Sequence, residues 1–209
     1  MPSIWPFELY KNVHYSPPGH SNPSVRWAPV AMGQESSRLQ PEELEELQSI
    51  STFSEAQIKT LYSRFKHLDK DNSGSISIEE MTAIPELAMN PLSRRVVAVF
   101  DLDGRNEVNF RQFVAALSVF SKQAKREQKL SFAFKVYDVN GDGVIDSSDL
   151  YHILKLMVGT NLSDAQIQSL VDQTILEANV LDKDGAISFN EFKRAMFNAD
   201  LENALTMEI

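Results

Sequence analysis

From Pro41 onward, apolar residues recur at the spacing of an α-helix, and the pattern repeats itself. Phe53–Ile58 reads FSEAQI and Leu162–Ile167 reads LSDAQI. In each, a serine stands where a helix begins, a glutamine follows three residues later, and apolar residues bracket the pair. That is a capping box with a hydrophobic staple. The first opens a stripe of Ile58, Leu61, Tyr62, Phe65 and Leu68, and the second a stripe of Ile167, Leu170, Val171 and Ile175. Each predicted helix runs into an acidic loop, so the chain carries an internal repeat. Residues 1–31 hold most of the prolines and show no helical period. They read as a disordered extension or as a stretch preceding the true start, with Trp5, Tyr10, Tyr15 and Trp27 as an alternative docking motif. No apolar core follows a basic start, so a signal peptide is not expected.

The acidic loops carry the chemistry. Residues 69–80 read DKDNSGSISIEE. Counting from Asp69, oxygen donors fall at positions 1, 3, 5, 7, 9 and 12: Asp69, Asp71, Ser73, the Ser75 carbonyl, Ser77 and Glu80. Gly74 is at position 6, where the chain turns sharply, and Ile76 at position 8 can pair with a neighbouring loop. A hard cation takes six to eight oxygens, two of them from a carboxylate at position 12, and this is the frame of an EF-hand calcium loop.

Three further stretches follow the frame. Asp101–Gln112, DLDGRNEVNFRQ, is damaged: Arg105 places a cation at position 5, Asn106 replaces the glycine and Gln112 has no charge, so no calcium is expected there. Val108 keeps the pairing position opposite Ile76. Asp138–Asp149, DVNGDGVIDSSD, offers Asp138, Asn140, Asp142, the Val144 carbonyl, Asp146 and Asp149. Asp149 is one methylene shorter than the usual Glu, which favours Mg²⁺ or a weaker grip on Ca²⁺. In the last stretch Gly185, Ile187 and Glu191 fix positions 6, 8 and 12, with Asp182, Asp184, the Ala186 carbonyl and Ser188 between them. Position 1 then falls on Val180, one residue after Asn179. Either Asn179 reaches around an inserted residue, or the site loses its first ligand.

The expected fold is therefore all-α: two lobes of paired EF-hands, four in total, with short β pairings between loops. The expected organisation is an extension over 1–32, an N-terminal segment with a helix over 33–53, a first pair over 54–121, an exposed basic linker over 122–129, a second pair over 130–198 and a tail over 199–209.

Composition narrows the function. The formal net charge of −9 repels phosphate backbones, so nucleic acid is not an expected partner. The absence of cysteine excludes disulfides and thiolate metal sites and fits the cytoplasm. No apolar run reaches membrane-spanning length. His14, His20, His67 and His152 are scattered, no nucleophile arrangement or phosphate-cradling loop occurs, and no enzyme is expected.

Over residues 33–209 the chain resembles the calcineurin B family, the regulatory subunits of calcineurin. The stretches that carry the resemblance are DKDNSGSISIEE, IPELAMNPLSRRVVAVFD (84–101), EQKLSFAFKVYD (127–138) and LKLMVGTNLSDAQIQSLVDQTI (154–175). Residues 39–65 look closer to the calcineurin B homologous proteins, which bind sodium/proton exchangers, but the long insertion those proteins carry between halves is absent. The poor second loop departs from calcineurin B. The resemblance implies a calcium-responsive regulatory subunit that grips an amphipathic helix of a phosphatase catalytic chain. An exchanger cofactor and a calcium buffer are the alternatives. Candidate groove residues are Met81, Ile84, Leu87, Met89, Val97, Phe113, Leu117, Phe120, Leu154, Met157 and Val158, Met being well suited to such surfaces. Residues 32–37, MGQESS, match an N-myristoylation pattern. The family carries this lipid on the glycine after the initiator, so Gly33 is acylated only if translation starts at Met32, and one lipid gives weak peripheral membrane binding.

Overall fold

The serine-led capping boxes form as their spacing predicts. A computed structural model describes residues 39–83, 88, 90–101 and 104–197. The extension over 1–32, the lipidation candidate Gly33 and the tail over 199–209 lie outside the described residues. So do the groove candidates Ile84, Leu87 and Met89. Among the described residues there are nine helices and two two-stranded sheets, and the chain divides into two compact units, 39–129 and 130–197.

In the first unit, α1 (Pro41–Ile50) is followed by α2 (Glu55–Leu68). The Ser54 hydroxyl accepts the Gln57 N–H at 3.4 Å, and Gln57 Oε1 accepts the Ser54 N–H at 3.0 Å. The α2 stripe buries Ile58, Leu61 and Phe65. Then come β1 (Ser75–Ser77), α3 (Ile78–Thr82), α4 (Ser93–Phe100), β2 (Glu107–Asn109) and α5 (Phe110–Val119). Phe65 stands edge-on to Phe110 and Phe113, with centroids 5.2 and 5.6 Å apart. The strands β1 and β2 are antiparallel, with Ile76 opposite Val108, and both side chains are fully buried.

The second unit repeats the plan. It holds most of α6 (Arg126–Tyr137), then β3 (Val144–Ile145), α7 (Ser147–Val158), α8 (Asp164–Ala178), β4 (Ile187–Ser188) and α9 (Phe189–Ala195). Ser163 and Gln166 cap α8 reciprocally, and Ile167 and Val171 are fully buried. Ile145 pairs with Ile187, and neither side chain is exposed. Phe192 closes this core against Phe134 and Tyr137, at 5.5 and 5.9 Å between centroids.

The linker and the groove candidates show where burial departs from the sequence pattern. The linker over 122–129 begins as turns and enters a helix at Arg126, with its surface largely exposed up to Gln128. Ser121, which precedes it, and Lys129, its last residue, are buried at 3% exposure. Ser121 is held because its hydroxyl shares a 2.7 Å hydrogen bond with that of Thr52. Of the groove candidates, Met81, Val97, Phe113, Leu117 and Leu154 are buried core in this conformation. Phe120, Met157 and Val158 are half-exposed. The hydrophobic effect recruits Met and Phe to a core as readily as to a groove, so residue type does not separate the two.

Candidate metal centres

Each loop is entered from a helix whose last turn is aimed at the site. Asp69 ends α2 with φ −70° and ψ 80°, and Asp101 ends α4 with φ −78° and ψ 83°. Within each loop the left-handed backbone appears twice, at positions 4 and 6. The pairs are Asn72 and Gly74, Gly104 and Asn106, Gly141 and Gly143, and Lys183 and Gly185, all between +57° and +92°. Only glycine takes this conformation freely, although Asn tolerates it. Position 4 carries no sequence signal, because Asn, Gly and Lys share no side-chain property there.

In the first loop, ligand oxygens of Asp69, Asp71 and Glu80 come within 4.8 Å of one another. Asp69 accepts the Ser73 and Gly74 N–H groups at 2.9 and 3.1 Å, and Asp71 accepts the Ser73 N–H at 3.0 Å. Glu80 Oε1 accepts the Lys70 N–H at 2.9 Å and Oε2 the Ser77 N–H at 3.0 Å. Ser77 accepts the Glu80 N–H in return. The Ser75 carbonyl accepts the Ser73 hydroxyl at 2.9 Å. These bonds make positions 9 and 12 a capping box for the exit helix, so one carboxylate starts a helix and faces the loop. The same box recurs as Asn109/Gln112, Asp146/Asp149 and Ser188/Glu191. Its spacing stands in the sequence, where the same residues read first as cation ligands.

The third loop carries the shorter carboxylate, Asp149, at position 12. Asp138 accepts the Gly141 and Gly143 N–H groups at 2.8 and 3.1 Å. Asn140 and Asp142 are joined, Nδ2 to Oδ2, at 2.8 Å. Asp149 still spans both donors that Glu80 spans, the Val139 N–H at 3.1 Å and the Asp146 N–H at 3.2 Å. The electrostatics differ, however. Burial pushes the Asp149 carboxyl above its ordinary range despite those hydrogen bonds, with the Asp146 charge adding to the effect. Burial also pushes on Glu80, but the Ser77 and Lys70 N–H groups outweigh it and hold that carboxyl below the usual range.

The second loop keeps its shape by other means. Asp101 accepts the Arg105 N–H at 3.1 Å and the Asn106 N–H at 2.6 Å. Asn106 adopts φ +60°, where the glycine of the first loop would stand. Position 3, Asp103, lies outside the described residues. With Arg105 at position 5 and Gln112 at position 12, the loop offers a divalent ion less negative charge at its ligand positions than the first loop does. Asp101→Ala is expected to leave the number of bound calcium ions unchanged in titration calorimetry, while costing about 0.5–1.5 kcal/mol in unfolding, because water can replace the acceptor for the two exposed N–H groups. Loss of one ion from the count would overturn this reading of the loop.

In the fourth loop Glu191 is held below the usual carboxylate range. Burial opposes this, but the Leu181 and Ser188 N–H groups prevail, at 2.9 and 3.0 Å. Asp184 accepts the Ala186 N–H at 2.9 Å, and the Asp182 carboxylate accepts the Asp184 N–H at 3.4 Å. Asn179 donates from Nδ2 to Asp184 Oδ1 at 3.4 Å, but its own Oδ1 is buried and accepts no hydrogen bond. A buried acceptor without a donor is costly, and a cation among these oxygens would satisfy it. The donor sets are all oxygen, which suits Ca²⁺ or Mg²⁺ and not the softer metals.

Comparison with known proteins agrees with this geometry. A family model described as an EF-hand domain pair matches residues 127–197, and one described as an EF hand matches residues 61–84. The chain is 53% identical over 178 residues to calcineurin B of Naegleria gruberi, covering 85% of this chain and 100% of that protein. It is 47% identical over 169 residues to calcineurin B type 1 of Dictyostelium discoideum, covering 81% and 93%. It is 48% identical over 159 residues to calcineurin B type 2 of Homo sapiens, covering 75% and 92%.

Proposed function

The chain belongs to the calcineurin B family, and we propose that it works as a calcium-binding regulatory subunit, gripping an amphipathic helix of a phosphatase catalytic chain and conferring calcium sensitivity on it. The observation that carries this reading is the 53% identity over the whole length of the Naegleria relative. Apolar surface on α7 supports it: Leu156 is 40% exposed and the adjoining Met157 and Val158 are half-exposed. A free buffer has no use for such surface. Among the described residues no helix is long and apolar enough to cross a membrane. The test is to mix the full chain with a calcineurin-type catalytic chain in calcium and in chelator, following complex formation and phosphatase activity. Formation of a complex whose activity rises with calcium is the expected result. Absence of any complex in either condition sinks the proposal.

Calcium is held in this reading by Asp69, Asp71, Ser73, the Ser75 carbonyl, Ser77 and Glu80 in the first loop. In the third it is held by Asp138, Asn140, Asp142, the Val144 carbonyl, Asp146 and Asp149. The third loop takes Mg²⁺ at rest and exchanges it for Ca²⁺ on a signal. The reason is the reach of Asp149: calcium prefers two oxygens from position 12, whereas an octahedral ion needs one. Asp149→Glu should then tighten calcium and reduce the competition from magnesium. Calcium titrations of both proteins, with and without millimolar magnesium, check this. An equal magnesium shift in the two curves would show that the length of residue 149 does not set selectivity.

A further inference from the structure

We propose that Asn179 occupies the first ligand position of the fourth loop, and that Val180 is an extruded extra residue which leaves the rest of the site in register. The inference deepens the reading of these loops as calcium sites and concerns the one loop whose register the sequence leaves open.

Three independent features of the backbone fix the register. Asn179 ends α8 with φ −78° and ψ 80°, the conformation of Asp69 and Asp101 at the ends of their helices. Its N–H donates to the Ile175 carbonyl at 2.8 Å, as the Asp69 N–H does to Phe65 at 2.9 Å. At the other end, the position-12 carboxylates of the first and third loops accept the N–H of position 2, from Lys70 and Val139. Glu191 accepts the same bond from Leu181 at 2.9 Å, which agrees with Leu181 at position 2 when counted back from Gly185 at position 6. Between them, Lys183 and Gly185 take the left-handed turns of positions 4 and 6, at +59° and +92°. Only Val180 has no counterpart, and its apolar side chain is 42% exposed.

The side chain gives the second line of argument. Asp69 and Asp138 spend oxygens on backbone N–H groups of their own loops. Asn179 is 8% exposed, its Nδ2 lies against the position-5 carboxylate of Asp184, and its Oδ1 accepts nothing. A buried carbonyl oxygen beside the carboxylates of a cation loop, with no donor of its own, is an available ligand. Because that ligand is neutral, the loop attracts the ion less than an aspartate there would.

The experiment is calcium titration of the full chain, with the Asn179 side-chain amide followed by NMR, for wild type, Asn179→Ala, Asn179→Asp and a deletion of Val180. A shift of the amide resonance on titration is expected in wild type. Asn179→Ala should weaken one site on the order of tenfold, Asn179→Asp should tighten it, and the deletion should retain it. The inference is overturned if the amide does not respond, if Asn179→Ala leaves every site unchanged, if Asn179→Asp fails to tighten, or if deleting Val180 abolishes the site. Failure of the wider calcium reading looks different, because it removes the ions of the first and third loops from the wild-type count.

Discussion

Glu80→Gln should remove one calcium ion from the stoichiometry of the full chain in titration calorimetry, by weakening the first loop on the order of a hundredfold or more. Glu80 supplies two oxygens on the loop's only position-12 carboxylate, and both are already oriented, by the Lys70 and Ser77 N–H groups. Glutamine keeps the length but loses the charge and turns one oxygen into a donor. Glutamine serves in the capping boxes of Gln57, Gln112 and Gln166, so its carbonyl oxygen can keep the Ser77 N–H and the cap of α3 should hold, while the Lys70 N–H loses its acceptor. An unchanged ion count would mean that the converging trio of Asp69, Asp71 and Glu80 is a solvated acidic turn.

Phe192→Ala is expected to cost about 3–5 kcal/mol, measured by chemical denaturation of the metal-free chain. The ring is fully buried, and it packs against Phe134 and Tyr137 directly after the loop that carries Glu191. Against a typical total of about 5–15 kcal/mol, such a loss leaves the second unit marginal. Leu176, 78% exposed on α8, is the control. Leu176→Ala should stay within about 0.5 kcal/mol of the parent. If the two variants unfold alike, Phe192 does not hold this core.

The loops were legible because a cation demands oxygen at fixed intervals, and few other constraints on a chain place Asp69, Asp71 and Glu80 so. The β registers were legible for the same reason: a β-branched residue at position 8 of every loop has a single place to go. The capping serines were equally plain. What the sequence could not resolve was direction. Val97 and Met157 are both apolar residues on helices, yet one is in the core and the other half-exposed, and which face of a helix turns inward depends on partners distant in the chain. Nor could it show that Ser118 and Ser121 are buried. Their hydroxyls find Thr52, a neighbour only after folding.

The second loop has a consequence for the shape of the calcium response. On the proposed assignment of ions, the turn of the second loop rests on the hydrogen bonds from the Arg105 and Asn106 N–H groups to Asp101, so β2 would offer β1 a template that needs no ion. Ordering the first loop then costs less entropy. With one ion to bind, the first unit would answer calcium with a graded single-site curve. In the second unit, β3 and β4 join two loops that both offer oxygens, and filling one would lower the cost of ordering the other, which is the origin of a steeper, cooperative curve. On these assignments the chain would carry a gradual detector in one unit and a threshold detector in the other.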